Sequence, residues 1–90
     1  MKRFTIKGIR IKNFRGIDKL ELKELKDINY ILGRNGTNKS SIIFAIRFLL
    51  DAKFRRSQIN KIVREDFYKN NIDDPIVFEM FIDFSKNWIL

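Results

Sequence analysis

The chain has 90 residues, no cysteine and no histidine, and carries 19 Lys and Arg against 11 Asp and Glu, a formal net charge of +8. The missing cysteines exclude disulfides, thiol chemistry and zinc ribbons, and fit a reducing compartment. No apolar run approaches the roughly 20 residues of a membrane span. The basic start Met1-Lys2-Arg3-Phe4-Thr5-Ile6-Lys7 lacks the uninterrupted apolar stretch of about 7–15 residues that marks a secretory signal, so a cytoplasmic protein with no membrane partner is expected. A hydrophobic content of 44% excludes disorder by composition.

The first strand is expected over 4–14. Phe4 and Ile6 share one phase of the alternation and Ile9 and Ile11 the other, so Gly8 should mark a bulge or kink. A turn follows at Asn13 to Ile17, centred on Arg15-Gly16. Leu20 and Leu22 alternate with charges and predict a half-exposed strand over 19–23. Lys26-Asp27 then turns the chain into a third strand, 28–32.

That strand delivers the most informative segment, Gly33-Arg34-Asn35-Gly36-Thr37-Asn38-Lys39-Ser40-Ser41. An apolar strand, a loop with two glycines and Lys-Ser opening an apolar helix is the layout of a phosphate-binding P-loop, G-x-x-x-x-G-K-[ST]. Backbone N–H groups of such a loop surround phosphate oxygens, and the helix N-terminus adds unpaired N–H groups and a positive dipole end. Lys39 would place a point charge on the outer phosphates, and Ser40 would offer its hydroxyl to a magnesium ion. Gly33 and Gly36 permit close backbone approach.

One position departs from the pattern: Asn38 stands where the second fixed glycine belongs. Asparagine visits the left-handed region more readily than most residues, so the backbone should survive. Its side chain would point into the space left for phosphate, and weakened nucleotide binding is expected. The same residues twice match the glycosylation pattern N-x-[ST], a match discounted because no secretory signal accompanies it.

The helix is expected over 39–53. Ile42, Ile43, Ala45, Ile46, Phe48, Leu49, Leu50 and Ala52 cover more than one narrow stripe, which predicts burial on more than one side. The segment 54–74 is polar and variable, with Ile59, Ile62, Val63 and Phe67 at helical spacing and Ser57 as a cap for a short helix. Asn70-Asn71 and Asp73-Asp74-Pro75 predict loop and turn. A last strand, 76–84, puts Ile76, Phe78, Met80, Ile82 and Phe84 on one face and Glu79 and Asp83 on the other. Met80-Phe81-Ile82-Asp83 has the form of a magnesium-holding strand, but its period-2 pattern is that of a half-exposed strand.

A chain of this length buries only about 60–65% of its unfolded surface, and P-loop domains cover a parallel sheet with helices on both faces. The expected fold is therefore α/β: one partial P-loop domain over 1–90, with a mixed sheet around a buried P-loop helix. The ending Asn87-Trp88-Ile89-Leu90 fits a truncated or partner-completed unit.

Ile9-Arg10-Ile11-Lys12-Asn13-Phe14-Arg15-Gly16-Ile17, followed by a strand and the loop Gly33 to Ser41, resembles the N-terminus of OLD-family ATPases. These are related to the ATPase heads of RecF and SMC proteins within the ABC-type class. Ala45 to Asp51 is similar to the P-loop helix of OLD proteins, including the nuclease subunit of the Gabija anti-phage system. Arg64-Glu65-Asp66-Phe67 and Pro75-Ile76-Val77-Phe78 fit the same layout. The resemblance implies the N-terminal part of an ABC-type head that binds ATP and Mg2+ through Gly33, Arg34, Asn35, Gly36, Thr37, Asn38, Lys39, Ser40 and Ser41, with Ser40 on the metal. It also places Arg15 near the nucleotide, where the bare sequence allows a solvent-facing turn charge equally well. The signature segment, the Walker B acid and any Toprim nuclease domain of such proteins would lie beyond position 90.

Three functions follow from these features. The first is the ATP-binding segment of an OLD-like ATPase acting in anti-phage defence or DNA repair, not catalytically complete alone. The second is a degenerate fragment that acts by self-association or by pairing with another ATPase head. The third is a small basic module that binds DNA, with affinity falling steeply with salt.

Overall fold

The computed structural model describes residues 4–24 and 38–84. Strand β1 (Phe4–Phe14) lies between β2 (Ile17–Leu22) and β3 (Val77–Phe84), and both pairings are antiparallel. The chain between β2 and β3 includes helix α1 (Lys39–Leu50) and helix α2 (Ala52–Gln58), then three single 3₁₀ turns at Ile59–Lys61, Arg64–Asp66 and Tyr68–Asn70. The expected strand 28–32 lies outside the described residues; among the described residues the sheet is wholly antiparallel, where a mixed sheet was expected. Among the described residues, no helix is long and apolar enough to cross a membrane.

Two backbone irregularities decide which face of β1 meets the core. The register against β3 shifts between Ile6 and Gly8, leaving Lys7 as the extra residue. This is the bulge expected at Gly8, and it puts Ile6 on the same face as Ile9 and Ile11, so that all three contribute to the core. At the other end Asn13 has φ 55°, which breaks the alternation and turns Phe14 inward, where it is fully buried. The left-handed backbone suits asparagine. Its side chain is also occupied: Nδ2 donates to the carbonyls of Asn71 (2.9 Å) and Asp74 (2.8 Å), tying the loop before β3 to the sheet.

The core is Ile9, Ile11, Phe14, Ile17 and Leu22 from the hairpin and Ile42 and Ala45 from α1. Phe14 meets Phe44 of α1 at 5.4 Å between ring centroids and Phe78 of β3 edge-on at 4.8 Å. The outer face carries Arg10, paired with Glu79 across the sheet, and Lys7, paired with Asp83 at 3.6 Å.

Several expected boundaries move. β2 starts at Ile17 because the Phe14–Ile17 pair closes a two-residue turn of Arg15 and Gly16. The expected single helix 39–53 breaks at Asp51, whose backbone is extended (φ −112°, ψ 103°). The Asp51 carboxylate accepts from the N–H groups of Lys53 and Phe54, both at 3.1 Å, and so caps α2. Arg55 donates back to the carbonyls of Phe48 (3.0 Å) and Leu49 (3.2 Å), satisfying the end of α1. Ser57 is not a cap; it sits in the last turn of α2, and its hydroxyl donates to the Phe54 carbonyl. Burial of α1 on more than one side is not met either. Ile42 and Ala45 face the sheet, whereas Ile43 and Leu50 remain 45% and 48% exposed.

A methyl group at Gly8 would run into the Leu22 carbonyl oxygen, a backbone atom with little room to yield. Gly8→Ala should therefore destabilise the chain by about 1–3 kcal/mol, read as a lower denaturation midpoint at unchanged slope.

Candidate functional site

The site begins at the N-terminus of α1. Asn38 is the N-cap, with φ −75° and ψ 44°, and its carbonyl accepts from Ile42 N at 3.0 Å. The left-handed backbone considered for this position is not used. The side chain makes no cap hydrogen bond. Its amide lies against the turn of the β1–β2 hairpin, with Oδ1 2.6 Å from where a Cβ of Gly16 would stand.

Lys39 and Ser40 follow on the first turn and are exposed, whereas Ser41 is buried. The first turn holds no acidic residue. Its leading N–H groups have no partner within the helix, and the positive end of the dipole lies there. Such an end favours an anion, and the chemistry of Lys39 and Ser40 fits a nucleotide phosphate with its metal ion. Gly33, Arg34, Asn35, Gly36 and Thr37 lie outside the described residues.

A cleft of about 400 Å³ opens beside this helix end, lined by Gly16 to Leu20 of the hairpin, Asn38, Ile42 and Tyr68. It joins an apolar wall (Ile17, Leu20, Ile42) to charged and polar groups (Asp18, Lys19, Asn38) and one aromatic ring. That mixture suits a small molecule with a flat apolar part and a polar rim.

Arg15 stands on the same turn, next to Gly16. Its φ is 53°, and its guanidinium lies 4.7 Å from the ring centroids of both Phe14 and Phe44. Its backbone N–H donates to the Asp66 carbonyl at 2.7 Å, and Nε donates to the Asp66 carboxylate at 3.3 Å. The other Asp66 oxygen accepts from Val63 N at 3.0 Å. Arg15 is thus no free turn charge. It clamps the hairpin to α1 through Phe44 and to the 3₁₀ segment through Asp66, and this fixes the wall of the cleft.

Sequence reasoning missed Gly16, Asp66 and Tyr68 as neighbours of the site. Arg-Gly signals a turn, but no linear pattern shows that the turn faces position 38. Tyr68 is an aromatic in a polar segment, and its approach depends on the Arg15–Asp66 contact, which spans 51 positions.

A family profile described as an AAA domain matches residues 8–87. The chain belongs to this family. It is 40% identical over 82 residues to an uncharacterized protein of Methanocaldococcus jannaschii, a match covering 90% of this chain and 37% of that protein. It is 36% identical over 74 residues to the DNA replication and repair protein RecF of Francisella tularensis subsp. novicida, covering 81% of this chain and 20% of RecF. RecF of F. tularensis subsp. tularensis matches to the same extent. The chain thus spans well under half the length of these relatives. No solved structure matches it.

Asp66→Ala removes the carboxylate from both Arg15 and Val63. A loss of about 1–2 kcal/mol is expected, combining a half-buried ion pair with a capping contact, and thermal denaturation should show it. Asp66→Asn should recover part of the loss, because an amide oxygen can still accept.

Proposed function

We propose that this chain is the N-terminal, ATP-binding part of an ABC-type head of the RecF and OLD kind. The observation that carries the reading is the order of parts at α1. The sequence Gly33 to Asn38 leads directly into a helix end that is free of acids and opens with exposed Lys39 and Ser40, inside a chain of the AAA domain family.

The roles follow from residue chemistry. Gly33, Arg34, Asn35, Gly36, Thr37 and Asn38 supply the loop backbone for the phosphates. Lys39 neutralises the outer phosphates, Ser41 closes the first helical turn, and Ser40 would hold Mg2+. Bound magnesium would supply positive charge that draws electron density from the phosphate oxygens. The adjoining cleft receives the nucleoside end against Ile17, Leu20 and Tyr68, and Arg15 keeps its hairpin wall in place. Nucleotide turnover also needs a positioned water and a complete metal shell, which these residues alone do not provide.

By its likeness to RecF, named for DNA replication and repair, the chain would serve DNA repair, or anti-phage defence in an OLD-type protein. Another head, a second copy of this chain or DNA would be its partner, and a cytoplasmic location suits all three. The association reading draws on one specific observation: the apolar Ile43 and Leu50 stay exposed on α1.

Titration calorimetry with ATP and Mg2+ tests the proposal. Binding should weaken at least about tenfold in Lys39→Ala, and Ser40→Ala should lose the magnesium dependence more than the affinity itself. The isolated chain should release no phosphate from ATP. A wild-type chain with no ATP affinity at millimolar concentration would reject nucleotide binding and leave association or DNA binding as the function.

A further inference from the structure

The position where the loop pattern asks for glycine holds Asn38, and the hairpin turn facing it holds a glycine. These two features are one contact. The three heavy atoms nearest to a Cβ built on Gly16 all belong to Asn38: Oδ1 at 2.6 Å, Cγ at 3.4 Å and Nδ2 at 3.7 Å. The amide therefore occupies the place that a Cβ at position 16 would take, and a larger residue there would push it aside. Gly16 shows no left-handed φ that would demand glycine for its own sake. Space for the amide is what the glycine provides.

The surface that Asn38 rests on is held in place. The Phe14–Ile17 pair closes the turn, and Asp66 holds both the backbone and the side chain of Arg15. Asn38 and Gly16 both line the 400 Å³ cleft. The amide thus bridges the hairpin turn and the N-terminus of α1 at the edge of the space assigned to the nucleoside.

We infer that Asn38 is a positioning residue: its amide, seated on Gly16, sets the spacing between the hairpin and α1 and so shapes the cleft for the nucleoside end of the ligand. This rests on the nucleotide reading above. It recasts the departure from the glycine pattern as one half of a matched pair, with the small residue moved from the loop to the hairpin.

The test is a double-mutant cycle in the full chain with Gly16→Ala, Asn38→Gly and both together. Melting temperature is measured, along with calorimetric affinity for ATP and for inorganic tripolyphosphate, each with Mg2+. Gly16→Ala should lower ATP affinity about tenfold, and adding Asn38→Gly should recover most of it, the coupling of two residues in contact. In Gly16→Ala, tripolyphosphate affinity should stay within about twofold, because the loop and Lys39 rather than Gly16 hold the phosphates; a general loss of structure would lower both ligands together. Equal losses for the two ligands, or independent effects of the two substitutions, would overturn the inference. If Gly16→Ala alone does not fold, folding of the double variant supports the contact and its failure to fold refutes it, since among the described residues no other side chain lies as close to a Cβ at 16. A wild type that binds neither ligand sinks the nucleotide reading and this role with it. ATP binding with an additive cycle sinks this inference alone.

Discussion

The burial of Phe14 is the constraint on which the rest of the described structure depends. It ends β1, lies fully buried, and touches rings from α1 and β3. Burying such a side chain is worth about 1.5–3 kcal/mol, and each aromatic pair adds about 0.5–1.5 kcal/mol. A half-exposed ion pair such as Arg15–Asp66 gives at most about 1 kcal/mol. The aromatic contacts therefore hold α1 on the sheet, and the ion pair serves to orient what has already been brought together.

Strict strand alternation would point Phe14 away from Ile9 and Ile11. The left-handed Asn13 prevents that, and its buried amide, bonded to two loop carbonyls, offsets the cost of the unusual backbone. One residue thus turns Phe14 into the core and fastens the loop that leads into β3. The bulge at Lys7 does the equivalent work at the other end of β1. A regular 11-residue strand could not place Ile6, Ile9, Ile11 and Phe14 in one core.

Where a signal was local, the sequence was readable. The phase change at Gly8, the Arg15-Gly16 turn and the period-2 pattern of β3 all depend on near neighbours. The break in the helix was readable in principle, because Asp51 is a good N-cap three residues before Phe54. Continuous apolar spacing through Ala52 masked it, and the competing carboxylate prevailed. The surroundings of the candidate site were not readable. Lys39 and Ser40 are named from spacing alone, but the partners of Arg15 and Asn38 are Asp66 and Gly16, 51 and 22 positions away. Nothing in a period of 2 or 3.6 residues encodes such a meeting.

The glycine at 16 and the asparagine at 38 show how a departure from a motif should be weighed. Judged within its own loop, Asn38 adds a side chain where none is wanted, and the conclusion is damage. Judged with the hairpin, the same side chain has a seat that a Cβ at 16 would remove. A side chain with no place to go would force the helix end outward, yet Ile42 N still bonds to Asn38 O at 3.0 Å and Ile42 remains buried in the core. The helix begins in ordinary geometry because the volume added at 38 is taken up at 16. Asn38 thereby brings the hairpin turn and the start of α1 together at the border of the cleft.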